Sequence, residues 1–331
     1  MDTSIKSVAE NSHPKLDDTD LRCLVALQSQ PRATWRELAA QADVAERTLA
    51  RRLTRLIEGK WVRIIAEMDP WAAGAGPVMH AWIRCRSGAI AQVAEQLSAL
   101  SQARVVVALA GDADVMAEFN LRDDAELRHM VTEQLPAIPG VESVASRLVL
   151  RPFRRAGQWR IDPGAQSATL PSRARQPLSL SDGEARVLAH LAADGRATVS
   201  DLAQSSGVSE PTILRSLQAL SDSGSLNFRV EIEPSLLGFG VEALISVRAR
   251  PDGVEALAEV LAADPHTRCL FGTSGTSQLF WHVVCRDSMS LWELVTQRLG
   301  QTDGALSSDT NVVVQAYKRC GIARKGMQLQ G

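Results

Sequence analysis

Two halves of this 331-residue chain carry the same pattern, so the chain must fold as two copies of one unit. The stretch Arg32-Ala33-Thr34-Trp35-Arg36-Glu37-Leu38-Ala39 returns 164 positions later as Arg196-Ala197-Thr198-Val199-Ser200-Asp201-Leu202-Ala203. The same offset carries Glu67, Pro70, Gly74 and Gly76 onto Glu231, Pro234, Gly238 and Gly240, then Gly111 onto Gly275 and Gly140 onto Gly304. No gap is needed from Leu16 to about Arg155. Solenoid repeats run only about 20 to 50 residues, so a period this long marks a duplicated multi-element unit. Residues 156–177, rich in Gly, Pro, Ser and Arg and without apolar periodicity, read as a linker between the copies. Residues 1–15 read as a flexible polar tail.

The net charge of −2 means that contact with nucleic acid must come from a local basic patch and not from the whole chain. No apolar run reaches the roughly 18 residues of a membrane span, and the N-terminus lacks an apolar signal region. A cytoplasmic protein is expected. Its five scattered cysteines, an odd number without a C-x-x-C pair, suit a reducing compartment.

The repeat also filters single-residue signals. Cys23, Cys85, Cys269 and Cys285 align with Val187, Ala249, Val105 and Leu121, as core-type residues would. His80 and His282 align with Leu244 and Glu118, and neither ligand spacing nor a His-Glu-x-x-His pattern appears. The expectation is a non-enzyme without metal or cofactor.

After the acidic Asp17, Asp18 and Asp20, residues Leu21, Leu24, Val25 and Leu27 recur at helical spacing. Thr34 and Glu37 form a capping box for a second, short helix, and Thr198 with Asp201 a weaker one in the other half. A third helix from Glu46 buries Leu49, Leu53 and Leu56. Short helix, tight turn and longer helix make a helix-turn-helix. Its other face carries Arg47, Arg51 and Arg55 in one row, flanked by Thr48 and Arg52, a face too basic to pair with itself. Arginine reaches both base edges and phosphates in a major groove, so these five residues are the candidate DNA contacts; the alternative is a solvated helix face. The extended Trp61 to Ile65 predicts a wing or connecting strand. The second copy keeps Ile213, Leu217 and Leu220 but places Pro211, Ser216 and Ala219 where the first has Arg47, Arg52 and Arg55. Arg215 alone remains, opposite Arg51, and this copy should bind DNA weakly by itself.

Further along, Val78 to Arg86 alternates as a strand, and Ile90, Val93, Leu97 and Leu100 mark a helix. Two strands flank the turn Gly111-Asp112-Ala113-Asp114; a second helix through Leu127, Met130, Val131 and Leu135 precedes a strand from Val141 to Leu150. The order βαββαβ is ferredoxin-like, with one sheet face left to bury against another such sheet. The fold class is therefore α+β: two tandem units, each a winged helix-turn-helix (16–70 and 178–234) followed by a ferredoxin-like sensing domain (76–155 and 240–320).

The opening Leu16-Asp17-Asp18-Thr19-Asp20, the Arg-Ala-Thr-x-x-Glu-Leu-Ala block, Asp69-Pro70 and the Gly111-Asp112-Ala113-Asp114 turn together resemble the Lrp/AsnC, or feast/famine, family. The resemblance covers Leu16 to Arg155 and Leu180 to about Arg319. It implies a DNA-binding transcriptional regulator that self-associates through its ferredoxin-like domains and binds a small effector, usually an amino acid, near the glycine-aspartate turn. Gly111, Asp112 and Asp114 match that turn; in the second half Gly275 remains, with Thr276 and Gln278 in place of the aspartates. The aspartates either hold an effector ammonium or only form the turn. Two other functions stay open. A sirohaem-decarboxylase-like enzyme shares the same unit, but Arg104-Val105-Val106-Val107 and Pro265-His266-Thr267-Arg268-Cys269 lack its fuller His/Arg signature. An adaptor that pairs with another regulator would explain the weakened second helix-turn-helix.

Overall fold

The computed structural model describes residues 14–70, 76–162, 180–325 and 328–329. Each half opens with three helices, α1 (Asp18–Ser29), α2 (Trp35–Ala42) and α3 (Glu46–Glu58) in the first, α6 (Asp182–Ala193), α7 (Val199–Ser206) and α8 (Glu210–Asp222) in the second. Their starts are fixed by side-chain caps: Asp17 with Asp20, Thr34 with Glu37, Ser181 with Glu184 and Thr198 with Asp201 all form reciprocal capping boxes.

Of the wing or connecting strand expected after α3, the structure has a single strand, β1 (Val62–Met68), and its hydrogen-bonding partner is β6 (Leu226–Ile232) of the other unit. The antiparallel register sets Ile65 opposite Arg229, which are equivalent positions of the repeat, so a pseudo-twofold axis passes between them. Each strand also fills the neighbouring core. Val230 and Ile232 pack with Leu24, Leu49 and Leu53 of the first helix-turn-helix, while Ala66 packs with Leu191, Leu202 and Ile213 of the second. The apolar residues of each strand alternate with polar ones, so pairing across the units turns one apolar face of the ribbon onto both cores and leaves Glu67, Arg229 and Glu231 on the other face.

Two equivalent arginines lock this junction. Arg32 donates to the carbonyls of Gly195 and Ala197 (2.8 and 3.1 Å), and Arg196 donates to those of Pro31 and Ala33 (2.8 and 2.9 Å). The chain at Gly195 runs so close to Ile64 that a Cβ would sit 2.8 Å from its carbonyl, so glycine alone fits there.

The remaining elements are β2 (Val78–Cys85), α4 (Ile90–Ala99), β3 (Ala103–Ala110), β4 (Val115–Asn120), α5 (Asp124–His129), continued by a π turn through Gln134, and β5 (Val141–Arg154). Their counterparts are β7 (Val241–Ala249), α9 (Val254–Ala263), β8 (Thr267–Thr273), β9 (Leu279–Cys285), α10 (Ser288–Glu293) and β10 (Ala305–Arg319). Strands β11 (Ile322–Lys325) and β12 (Gln328–Leu329) extend the chain beyond the repeat. The first part of β5 pairs with β2 of its own unit, and residues Val149 to Arg154 cross to β8. Likewise β10 pairs first with β7 and then, from Val312, with β3. Eight antiparallel strands thus close a ring, β10-β3-β4-β2-β5-β8-β9-β7 and back to β10. The two sheets face each other within one chain across Trp82, Val107, Met116, Leu244, Phe271 and Phe280, and the helices cover the outside.

Residues 156–162 of the expected linker are built into the fold: Trp159 is buried against Phe239, and Gln28 holds the Trp159 carbonyl and the Ile161 amide (3.0 and 2.8 Å). The rest of that linker, and nearly all of the expected tail, lie outside the described residues.

Equivalent cations also brace the crossing strands. Lys318 of β10 donates to the carbonyls of Ser98 and Leu100 at the end of α4, and Arg154 of β5 to those of Ala262 and Asp264 at the end of α9. Positive charge at a helix C-terminus meets both the orphan carbonyls and the dipole. Lys318→Met, which keeps the stem and removes the donors, should lower stability by about 1.5–3 kcal/mol, read by chemical denaturation; an unchanged midpoint would show the brace to be idle.

Candidate nucleic-acid interface and effector sites

On α3 the apolar residues Leu49, Leu53 and Leu56 are fully buried, which turns Arg47, Arg51 and Arg55 outward as an exposed row and leaves Thr48 half-buried. Among the described residues neither Arg47 nor Arg51 is held in an ion pair or hydrogen bond. Arg52 differs from the expectation of an unpaired basic face. It lies 2.8 Å from Asp17 and 2.9 Å from Asp20 at the start of α1 and is about one-fifth exposed. These acids are close because the N-terminus of α1 packs beside α3, so Arg52 acts as a brace between helices. Arg55 also reaches Asp20 at 3.1 Å yet stays 54% exposed. In the second unit Ser216 stands where Arg52 was and donates to Glu184 (2.8 Å), a neutral version of the same brace. Arg215 is exposed and bends back on its own helix, donating to the Pro211 carbonyl at 3.3 Å.

The turn Gly111-Asp112-Ala113-Asp114 sits against the other unit, at Asn311 of β10. The Asn311 side-chain oxygen accepts from the Asp112 and Ala113 amides (2.8 and 3.4 Å), and a Cβ on Gly111 would collide with that side chain. Asp112 is exposed, whereas Asp114 accepts from the Cys85 amide at 2.7 Å and so caps the end of β2. Gln278 accepts from the Ala249 amide at 2.9 Å in the equivalent place. The Asp-to-Gln exchange therefore preserves a structural acceptor. The second turn, with exposed Gly275 and Thr276, packs on Arg147 of β5, whose guanidinium lies over Trp82 and donates to Ser246 (2.8 Å).

A larger feature escaped the sequence reading. Between the β1/β6 ribbon and the mouth of the barrel lies a cavity of about 550 Å³. Charged pairs line it at equivalent positions of both halves: Glu67 and Glu231, Arg104 and Arg268, Arg155 and Arg319. Retention of charge at the same offset, inside otherwise apolar strands, is the sequence signal that marks them. Burial opposes ionisation of Glu67, but Arg229 and Arg104 outweigh it and hold its carboxyl below the ordinary value. Glu231 is held low in the same way by Arg268 and Arg229, and Glu242 well below by Arg319 and His282.

In the wall, Cys269, His282 and Glu242 form a thiol, imidazole and carboxylate chain, with Sγ to Nδ1 3.7 Å and Nε2 to Oε1 2.5 Å. Burial pushes the Cys269 thiol up, away from the thiolate that nucleophilic chemistry requires.

Comparison with known proteins places this architecture. The model of the Lrp/AsnC ligand binding domain matches residues 79–159 and again 242–322, and that of the AsnC-type helix-turn-helix domain matches 16–57. The chain belongs to the Lrp/AsnC family. It is a DNA-binding transcriptional regulator with helix-turn-helix and ligand-binding domains. An uncharacterized HTH-type transcriptional regulator of Pyrococcus abyssi is 29% identical over 143 residues, which is 43% of this chain and 90% of that protein. The regulator LrpA of Pyrococcus horikoshii is 24% identical over 40% of this chain and 94% of its own length. Each such relative spans one unit of the duplicated regulator. Residues 176–235, the second helix-turn-helix region, match the model of the sugar-specific transcriptional regulator TrmB instead. Over the whole length, the crystal structure of the siroheme decarboxylase NirDL has a TM-score of 0.62 at 14% identity, covering 91% of this chain and 93% of that one. That likeness is one of fold.

The depressed carboxylates give this Lrp/AsnC regulator a defined acid limb. Each binds its proton more weakly folded than unfolded, so its contribution is complete above the ordinary value of 4.5 and lost as pH falls through the folded-state value. The melting temperature should drop steeply below that pH, and Glu242→Gln should melt lower at pH 7 with a shallower acid limb. A parallel acid limb in the variant would contradict the pairing.

Proposed function

We propose that this regulator reads its operator chiefly through one helix, α3, and that a small effector, an amino acid, binds at the turns between its two units. The observation that carries the first part is the exposed arginine row on α3 set against its loss on α8. Arg47, Thr48, Arg51 and the outer part of Arg55 face the DNA, Arg52 orients α3 against α1, and Arg215 adds a weak contact from the second head. Phosphate neutralisation dominates affinity and its salt dependence. Arg47→Ala with Arg51→Ala should therefore weaken operator binding by about tenfold or more and flatten the slope of log K against log salt by about one unit per lost phosphate contact. Arg215→Ala should change both far less. Equal losses from the two heads in a gel-shift titration would contradict the assignment.

For the effector, the exposed Asp112 carboxylate beside Gly111 supports binding of an ammonium, with Asp114 keeping the turn in shape. Gly275 and Thr276, beside Arg147, form a second and unlike site. Calorimetry with a panel of amino acids should find binding that Asp112→Asn abolishes and Thr276→Ala spares. Binding unaffected by Asp112→Asn would refute the site while leaving the DNA assignment intact. Linkage requires operator DNA to shift effector affinity by the factor that effector shifts DNA affinity. The chain is further proposed to self-associate, as an assembly of fused pairs in the cytoplasm.

The decarboxylase reading rests on fold likeness alone and the adaptor reading on the weakened α8. A visible-absorbance change on adding an iron-uroporphyrin would favour the former, and failure to shift any DNA the latter.

A further inference from the structure

We infer that the cavity between the β1/β6 ribbon and the barrel mouth binds an organic anion, a carboxylate on an apolar body, with its charged end on Arg268. The volume, about 550 Å³, is that of a small-molecule site. Its lining is part charged and part apolar. The ribbon contributes Glu67, Arg229 and Glu231, and the barrel strands contribute Arg104, Glu242, Arg268 and Arg319 together with the apolar Val107, Met116, Leu244, Phe271 and Phe280.

The carboxylates of the charged wall are already matched. Glu67 meets Arg104 and Arg229, Glu231 meets Arg229 and Arg268, and Glu242 meets Arg319 and His282. Among the arginines of this wall, Nε of Arg229 and Nε of Arg319 also lack a hydrogen bond, but Arg268 lacks one at two nitrogens. Arg268 is 4% exposed, its nearest carboxylate oxygen is Glu231 at 3.4 Å through Nη2, and its Nε and Nη1 have no hydrogen-bond partner among the described residues. A buried guanidinium with unmet donors favours an incoming oxyanion over water or a neutral group. Arg104, its equivalent in the first half, is engaged by Glu67, so the repeat yields one anion subsite and not two. Glu67, Glu231 and Glu242 of the lining are matched to arginines and Glu118 to His80, with Asp222 exposed to solvent, so the chamber suits a carboxylate without an amino group. Its occupant would touch both the ribbon that joins the reading heads and the barrel beneath it.

This site is independent of the turn and DNA assignments, and its test needs neither. The full chain is titrated by calorimetry with 1-naphthoate, with the neutral 1-naphthalenemethanol and with the cationic 1-naphthylmethylamine. One naphthoate should bind per chain, at least about tenfold tighter than the alcohol, with no detectable amine binding. Arg268→Gln should remove that preference, and Met116→Trp, which fills the apolar end and leaves every charge in place, should block both ligands. Asp112→Asn should change nothing, which separates this chamber from the turn. Melting curves confirm that each variant is folded; should Arg268→Gln fail to fold, Met116→Trp and the three-ligand comparison still decide. Naphthoate bound no better than the alcohol, or naphthoate binding untouched by Met116→Trp, would overturn the inference.

Discussion

The structure depends on two strands that are too long for their own sheets. β5 and β10 run 14 and 15 residues, against a common length of about 5 or 6, and each spends its second part pairing with the other unit. That crossing closes the eight-stranded ring and removes the free edges that two open sheets would present. It also buries an interior that neither unit covers alone, including Trp82, Met116, Phe271 and Phe280. Because the ring closes within the chain, the helix-turn-helix pair is held over the barrel mouth by the β1/β6 ribbon, and the charged cavity is the space left between them.

On this near-symmetric frame the surfaces have diverged. Contacts that hold the frame keep their partners across the repeat: Arg32 with Arg196, Arg154 with Lys318, Asp114 with Gln278. Contacts directed outward or into the cavity do not. Of the three outward arginines of α3, Arg47 and Arg55 are gone from α8, and Arg268 has unmet donors where Arg104 is paired with Glu67. Duplication within one chain permits this, since each copy changes separately while the other preserves the shared core. A homodimer of identical subunits would change both heads together.

Much of this was legible in the sequence because it follows from periodicity. The switch from helical spacing to alternation located the three opening helices and the strand and helix order beyond them, and capping boxes such as Thr34 with Glu37 fixed helix starts. What was not legible depends on partners distant in sequence. Nothing local tells that Trp61 to Ile65 leads into a strand paired with β6 and not into a wing. Arg52 looked like its neighbours until α1 brought Asp17 and Asp20 beside it. Asp114 resembled a ligand residue because its bond to the Cys85 amide spans two strands. The cavity's charges were visible as letters, yet their convergence requires the ribbon to cross the barrel.

The central claim, one strong reading head on a duplicated frame, is tested most directly by where each head lies on DNA. In a Cys320→Ser background, whose other cysteines are buried, Glu46→Cys and Glu210→Cys place an iron-EDTA cleavage probe at the equivalent N-terminal ends of α3 and α8. The account predicts strong cleavage clustered in one major-groove segment from position 46 and weak or diffuse cleavage from position 210. Equally strong, equally localised cleavage from both positions would contradict it.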